Sequence, residues 1–121
     1  MSKRERLRIL QATRELARFT SAQLQRLLPF IDEQCVPAGT ELAREGRLCH
    51  ELIIVAGGLL ETHGQAGSQQ LRPGDTVGWT AMRDRGINDA TVIAVAPSHL
   101  LVMSHEQFRA ADALEPVVKV A

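Results

Sequence analysis

The 121-residue sequence has few aromatic residues: three Phe, one Trp and no Tyr, 3% of the chain. Its core must therefore be aliphatic, since rings are scarce where they would otherwise supply the largest buried areas. Two cysteines, Cys35 and Cys49, are too few for a disulfide framework, and free packing thiols fit a cytoplasmic location. There is no excess charge of either sign, because 14 Lys and Arg balance 14 Asp and Glu. That balance argues against a general nucleic-acid binder. No apolar run reaches transmembrane length, and the opening "MSKRERLRIL" lacks a signal peptide's apolar stretch and cleavage site.

The chain has the length of one domain, with ordinary hydrophobic content of 45% and charged content of 23%. Its charge is unevenly spread. Residues 1–18 carry six Lys and Arg against Glu5 and Glu15, a net +4, and the remainder is −4. The spacing of Leu7, Leu10, Leu16 and Ala17 predicts a helix over 3–18, with Arg4, Arg8 and Arg18 off the apolar stripe. Such a basic amphipathic helix either rests on a membrane surface or packs its stripe on the domain. The shortness of the stripe favours packing.

A second helix is expected from Thr20, with Gln23 in the capping-box position and Leu24, Leu27, Leu28 and Ile31 on one face. Pro29 should kink or end it. From residue 34 to 104 short β-prone runs alternate with glycine turns at 8–12-residue spacing, with no βαβ alternation. This predicts a mainly β protein, an antiparallel jelly-roll barrel with helices on both sides. Ser104 and Gln107 form a further helix start, and Pro116 interrupts that helix. No room is left for a helix-turn-helix, so sequence-specific DNA binding is not expected.

One long connection stands out. "VGWTAMRDRGINDATVIA", Val77 to Ala94, runs from a glycine turn through two arginines into a β-branched run. Ordinary hairpins are shorter. The loop is either a plain connection or a backbone cradle for a small anionic ligand.

"VPAGTELAREG" (36–46), "ELIIVAGGLLE" (51–61), "LRPGDTVGW" (71–79), "ATVIAV" (90–95) and "HLLVMSHEQFRAA" (99–111) occur in the order and spacing of one known family. Together they resemble the cyclic nucleotide-binding domain of catabolite activator-like regulators, over residues 19–113. Residues 1–18 then form a basic helix and 114–121 a tail. The resemblance implies that the long loop is a phosphate-binding cassette. Its backbone N–H groups and helix N-terminus would face a cyclic phosphate. The implied ligand-binding positions are Gly78, Trp79, Thr80, Ala81, Arg83, Arg85, Asn88, Asp89 and Ala90.

At these positions the chain departs from the family pattern. Trp79 stands where the family has a ribose-accepting glutamate, and indole offers a donor but no acceptor. Asn88 stands where the family has the phosphate-pairing arginine, Asp89 replaces the small residue after it, and Ala90 keeps the family's alanine. Arg83 or Arg85 either supplies the missing charge or is a solvated loop tip. Trp79 either stacks on a purine or plugs the pocket. The expected function is a free-standing regulatory or interaction domain that does not bind cAMP or cGMP in the family's usual way. It is expected to have no catalytic role, metal or cofactor. A cAMP sensor working through Arg83 or Arg85 is the alternative.

A cupin-like metalloenzyme shares the architecture, but its metal needs clustered histidines. His50, His63, His99 and His105 are scattered singly and read as surface or capping residues. Cys49 beside His50 is no nucleophile–base pair, since strand neighbours point to opposite faces. A protein partner is the third possibility, with the apolar "PVVKVA" end as a candidate contact.

Overall fold

The computed structural model describes residues 1–84 and 86–114. Eight strands follow in order: β1 (Asp32–Val36), β2 (Glu41–Ala43), β3 (Glu51–Gly57), β4 (Leu60–Gly64), β5 (Gly67–Leu71), β6 (Thr76–Val77), β7 (Ala90–Ala94) and β8 (Ser98–Ser104). Four helices accompany them: α1 (Lys3–Ala12), α2 (Ser21–Leu27), α3 (Trp79–Asp84) and α4 (His105–Leu114). The strands form two four-stranded antiparallel sheets, ordered β1-β8-β3-β6 and β2-β7-β4-β5. This is the expected jelly-roll class with helices before and after it. The sheets stay separate and do not close into one hydrogen-bonded barrel.

The first sheet is the middle of three layers. Along β3 the buried side chains alternate: Leu52 and Ile54 join the cluster formed with the helices, while Ile53 and Val55 join the one between the sheets. β8 does the same, with Leu101 and Met103 on the helix side and Leu100 and Val102 on the other. A strand covered on both faces needs an unbroken apolar run. The runs "LIIV" and "LLVM" are that requirement written in sequence. Both clusters are almost wholly aliphatic, as the scarcity of rings demands; Phe108 is the buried aromatic side chain.

The helical side is shaped by local signals. Thr20 and Gln23 form a full capping box at α2. Gln107 N–H donates to the Ser104 hydroxyl at 3.1 Å, and Gln107 Oε1 accepts from Ser104 N–H at 2.8 Å. α2 stops at Leu27, and Pro29 sits in a short 3₁₀ turn over Leu28–Phe30. Leu24, Leu27, Leu28 and Ile31 are all buried.

The helix expected over 3–18 is shorter than its spacing predicts. It ends at Ala12, Thr13 is extended, and a 3₁₀ turn covers Arg14–Leu16. In an unbroken helix Leu10 and Leu16 would point about 120° apart. The break at Thr13 lets both enter the core, and the Thr13 hydroxyl donates to Ile9 O at 2.8 Å. Ala17, expected on the apolar stripe, is exposed. So is Cys35 on β1, where a packing thiol was expected; Cys49 is buried.

Candidate functional site

The long connection starts with a close approach. Gly78 follows β6 with φ 89°, and a Cβ there would stand 3.0 Å from both Cys49 Sγ and Glu51 O. Only glycine fits this turn without strain. The Gly78 carbonyl accepts from Met82 N–H at 2.8 Å, opening α3. Met82 is 2% exposed and anchors the short helix in the helix-side core, where half-buried Trp79 and Ala81 also pack. Thr80 is exposed. The far end closes when Gly86 N–H donates to Ala81 O at 2.7 Å.

Asn88 is held by three hydrogen bonds. Its N–H donates to Arg47 O at 2.8 Å, its carbonyl accepts from Gly46 N–H at 2.9 Å, and its amide Nδ2 donates to Arg44 O at 3.1 Å. The side chain is therefore spent on stitching the loop to the β2–β3 connection. Asp89 is exposed, and Ala90 enters β7 opposite Gly64. Gly64 is needed there because a Cβ would meet Asp89 O at 2.8 Å.

Between this loop and the β4–β5 hairpin lies a cleft of about 640 Å³. Seven of the sequence-predicted positions line it: Gly78, Trp79, Thr80, Ala81, Asn88, Asp89 and Ala90. Trp79 walls the cleft without filling it. Arg83 does not line it; its Nε and Nη2 donate to Asp84 at 3.0 and 3.3 Å on the exposed side. That pairing holds the Asp84 carboxyl below its usual range and pushes the Arg83 guanidinium up. Arg85 and the "PVVKVA" end lie outside the described residues.

Sequence reasoning missed the opposite wall: Thr62 and Gln69 of the hairpin, Thr76, and Glu15 from the segment after α1. Glu15 Oε1 accepts from the Thr76 hydroxyl at 2.9 Å across 61 residues of chain, and its Oε2 is buried without a partner. No local pattern announces such a contact. Among the described residues, every charged side chain lining the cleft is acidic: Glu15, Asp84 and Asp89.

A neighbouring cleft of about 530 Å³ shares Val77 and Asn88 with the first and reaches Arg44, Arg47, His50 and Glu51. Burial pushes the Glu51 carboxyl up, partly offset by His50, and burial likewise raises the Cys49 thiol. The other histidines stand apart. His63 Nδ1 meets Ser68 Oγ at 2.9 Å and its Nε2 meets Glu61 Oε1 at 2.8 Å, while His99 meets Glu33 on β1. Among the described residues no group of three or more His, Cys, Asp or Glu is arranged to hold a metal. Nor is any described helix long and apolar enough to cross a membrane.

Two facing antiparallel sheets, a glycine-opened loop with one helical turn, and a cleft under that loop define a ligand-binding regulatory class. The chain belongs to the cyclic nucleotide-binding domain family, whose profile matches residues 33–112. It is similar to the regulatory domain of Toxoplasma gondii PKA, solved with cAMP, at 25% identity and TM-score 0.79, covering 90% of this chain and 44% of that one. A cyclic nucleotide-binding-like protein from Brucella abortus is 24% identical with TM-score 0.74, covering 88% of this chain and 97% of that one. The regulatory subunit of a cAMP-independent protein kinase A from Trypanosoma brucei is 18% identical with TM-score 0.81, covering 96% and 43%. The chain thus spans less than half of the two kinase regulatory chains. No curated protein sequence matches it.

Proposed function

We propose that this chain is a non-catalytic regulatory domain whose cleft does not take cAMP or cGMP through the family's phosphate contact. The observation that carries the reading is Asn88. It occupies the position of the family's phosphate-pairing arginine, and its amide is already engaged by Arg44 O. Trp79 and Asp89 add to it, the first lacking the ribose acceptor and the second putting a carboxylate at the cleft edge. α3 is only six residues long, so its dipole offers little compensation.

The magnitudes favour loss of cyclic-nucleotide binding. Losing one partner of a buried charge pair costs about 2–5 kcal/mol. A carboxylate some 4 Å from the phosphate repels by up to about 4 kcal/mol at an effective dielectric near 20. At about 1.4 kcal/mol per tenfold, a micromolar site becomes millimolar or weaker. The fold is compatible with such a change: the similar T. brucei subunit belongs to a cAMP-independent protein kinase A, and a triple mutant of it that includes a Thr-to-Arg substitution is bound to cAMP in its A site. The module then acts by binding another ligand or a protein partner.

Calorimetry with cAMP and cGMP tests this. The wild type should show no saturable heat up to about ten times a micromolar dissociation constant. Asn88→Arg with Asp89→Ser should bind measurably, because it restores a charge-assisted phosphate bond and removes the repulsion. Tight binding by the wild type would refute the reading and point to Arg83 or Arg85 as the cation, which alanine at each position would separate.

A further inference from the structure

We infer that Ser68, on the outer face of the second sheet, is an activated nucleophile that accepts an acyl group from a small ester or thioester. Ser68 Oγ lies 2.9 Å from His63 Nδ1, and His63 Nε2 lies 2.8 Å from Glu61 Oε1. An ionised carboxylate can only accept, so the proton between Glu61 and the ring belongs to Nε2. In the neutral ring Nδ1 then carries the lone pair, and the Ser68 hydroxyl must donate to it. The nucleophile's proton thus already points at a base, and a third group fixes the tautomer of that base. The chain's other serines are engaged differently. Ser2 and Ser104 accept backbone N–H groups at helix starts, Ser21 accepts from Gln11, and Ser98 is buried with its hydroxyl on Ala96 O.

Strand register makes this geometry. His63 and Ser68 are direct cross-strand partners, and Glu61 is two residues before His63 on the same face. The hairpin turns through Gln65 and Ala66 between the paired Gly64 and Gly67, which leaves little freedom to slip. β4 is paired on its other side too, where His63 stands opposite Thr91 of β7. The base therefore sits on a strand held from both sides. Thr62 and Gln69 line the cleft, so their alternating neighbours Glu61, His63 and Ser68 belong to the face towards water. A reagent can reach them there: the His63 side chain is 46% exposed, and Ser68 is exposed as well. The step balances without a further reactant. Ser68 Oγ attacks the carbonyl carbon of the donor while its proton passes to His63 Nδ1, and the Glu61 carboxylate stabilises the imidazolium. The bond to the leaving oxygen or sulfur then breaks, and the leaving group takes the proton from Nδ1. The products are an ester at Ser68 and an alcohol or thiol. The site thus adds a covalent modification to a regulatory domain, on the hairpin whose other face walls the cleft.

The test reagent is p-nitrophenyl acetate, with acetylation of each serine followed by peptide mass spectrometry. Ser68 should be acetylated at least about tenfold faster than the exposed Ser21 and Ser104 of the same molecule, a comparison that needs no variant. His63→Ala should slow Ser68 about tenfold, and added imidazole should restore the rate at Ser68 in preference to Ser21. Glu61 is a positioning residue. Glu61→Leu should slow the reaction about threefold, and the His63 nitrogen resonances should lose the single Nε2–H tautomer seen in the wild type. Acetylation of Ser68 no faster than that of Ser21 and Ser104 would overturn the assignment. So would an unchanged rate in His63→Ala, acetyl groups held on His63 with Ser68 bare, or a wild-type His63 in the Nδ1–H tautomer.

Discussion

The two sheets differ in what covers them. The β1-β8-β3-β6 sheet is packed between the helices and the second sheet, so β3 and β8 each carry four consecutive buried apolar residues. The β2-β7-β4-β5 sheet has one face towards water, and β5 is exposed along most of its length. Stability is therefore concentrated in the inner sheet. The outer sheet contributes the hairpin wall of the cleft, with polar Thr62 and Gln69 there instead of core residues. One sheet holds the fold together, and the edge of the other lines the cleft.

The largest expected difference follows from that division. Leu101→Ala removes a fully buried side chain of β8 and should cost about 3 kcal/mol in denaturant unfolding, the usual range for a leucine cavity. Gln70→Ala, on exposed β5, should stay within about 0.5 kcal/mol. Equal losses at the two sites would show that the outer sheet is as structural as the inner one.

A finer contrast lies in the glycines that turn the chain between the sheets. Gly58 and Gly46 have similar φ, 89° and 83°. A Cβ on Gly58 would meet Pro97 O and Ser98 Cα at 2.6 Å, while one on Gly46 would meet nothing within 4 Å. Gly46→Ala should therefore cost only the left-handed backbone penalty, about 1–2 kcal/mol. Gly58→Ala should cost clearly more, because backbone atoms must also move. Thermal melts of the two variants under one condition read the difference directly.

The smallest effect concerns how the inner sheet holds α1. Burial pushes the Glu33 carboxyl up, but hydrogen bonds from Arg6, His99 and the N-terminal ammonium outweigh it and hold it below the ordinary 4.5. The unfolded chain then binds the proton more readily than the folded one, so stability rises with pH through this window. The contribution is complete above about pH 4.5 and is lost as pH falls through the lower folded value. Glu33→Gln should flatten the acid limb of a stability-against-pH curve. An unaltered acid limb would show that Glu33 does not couple α1 to the sheet.

Much of this architecture was legible without the structure because it is locally encoded. The capping boxes at Thr20 and Ser104 need only residues three apart, Pro29 ends a helix by its own ring, and "LIIV" and "LLVM" lie in short β-prone runs bounded by turns. The loop from Gly78 to Ala90 was likewise readable as a long connection opened by a glycine turn, since its order and spacing lie within a single stretch of chain. The break at Thr13 was not readable. It arises because Leu10 and Leu16 both gain more from the core than the helix gains from continuing, and that balance is set by neighbours far away in sequence. The same holds for the site's electrostatics. Asn88 reaches Arg44 O, Arg83 turns to Asp84, and Glu15 bonds Thr76 across 61 residues. Local hydrogen bonds and periodicity are fixed by residues within a turn or a pleat. The charge that a cleft presents is a sum over distant segments, and only packing brings those segments together.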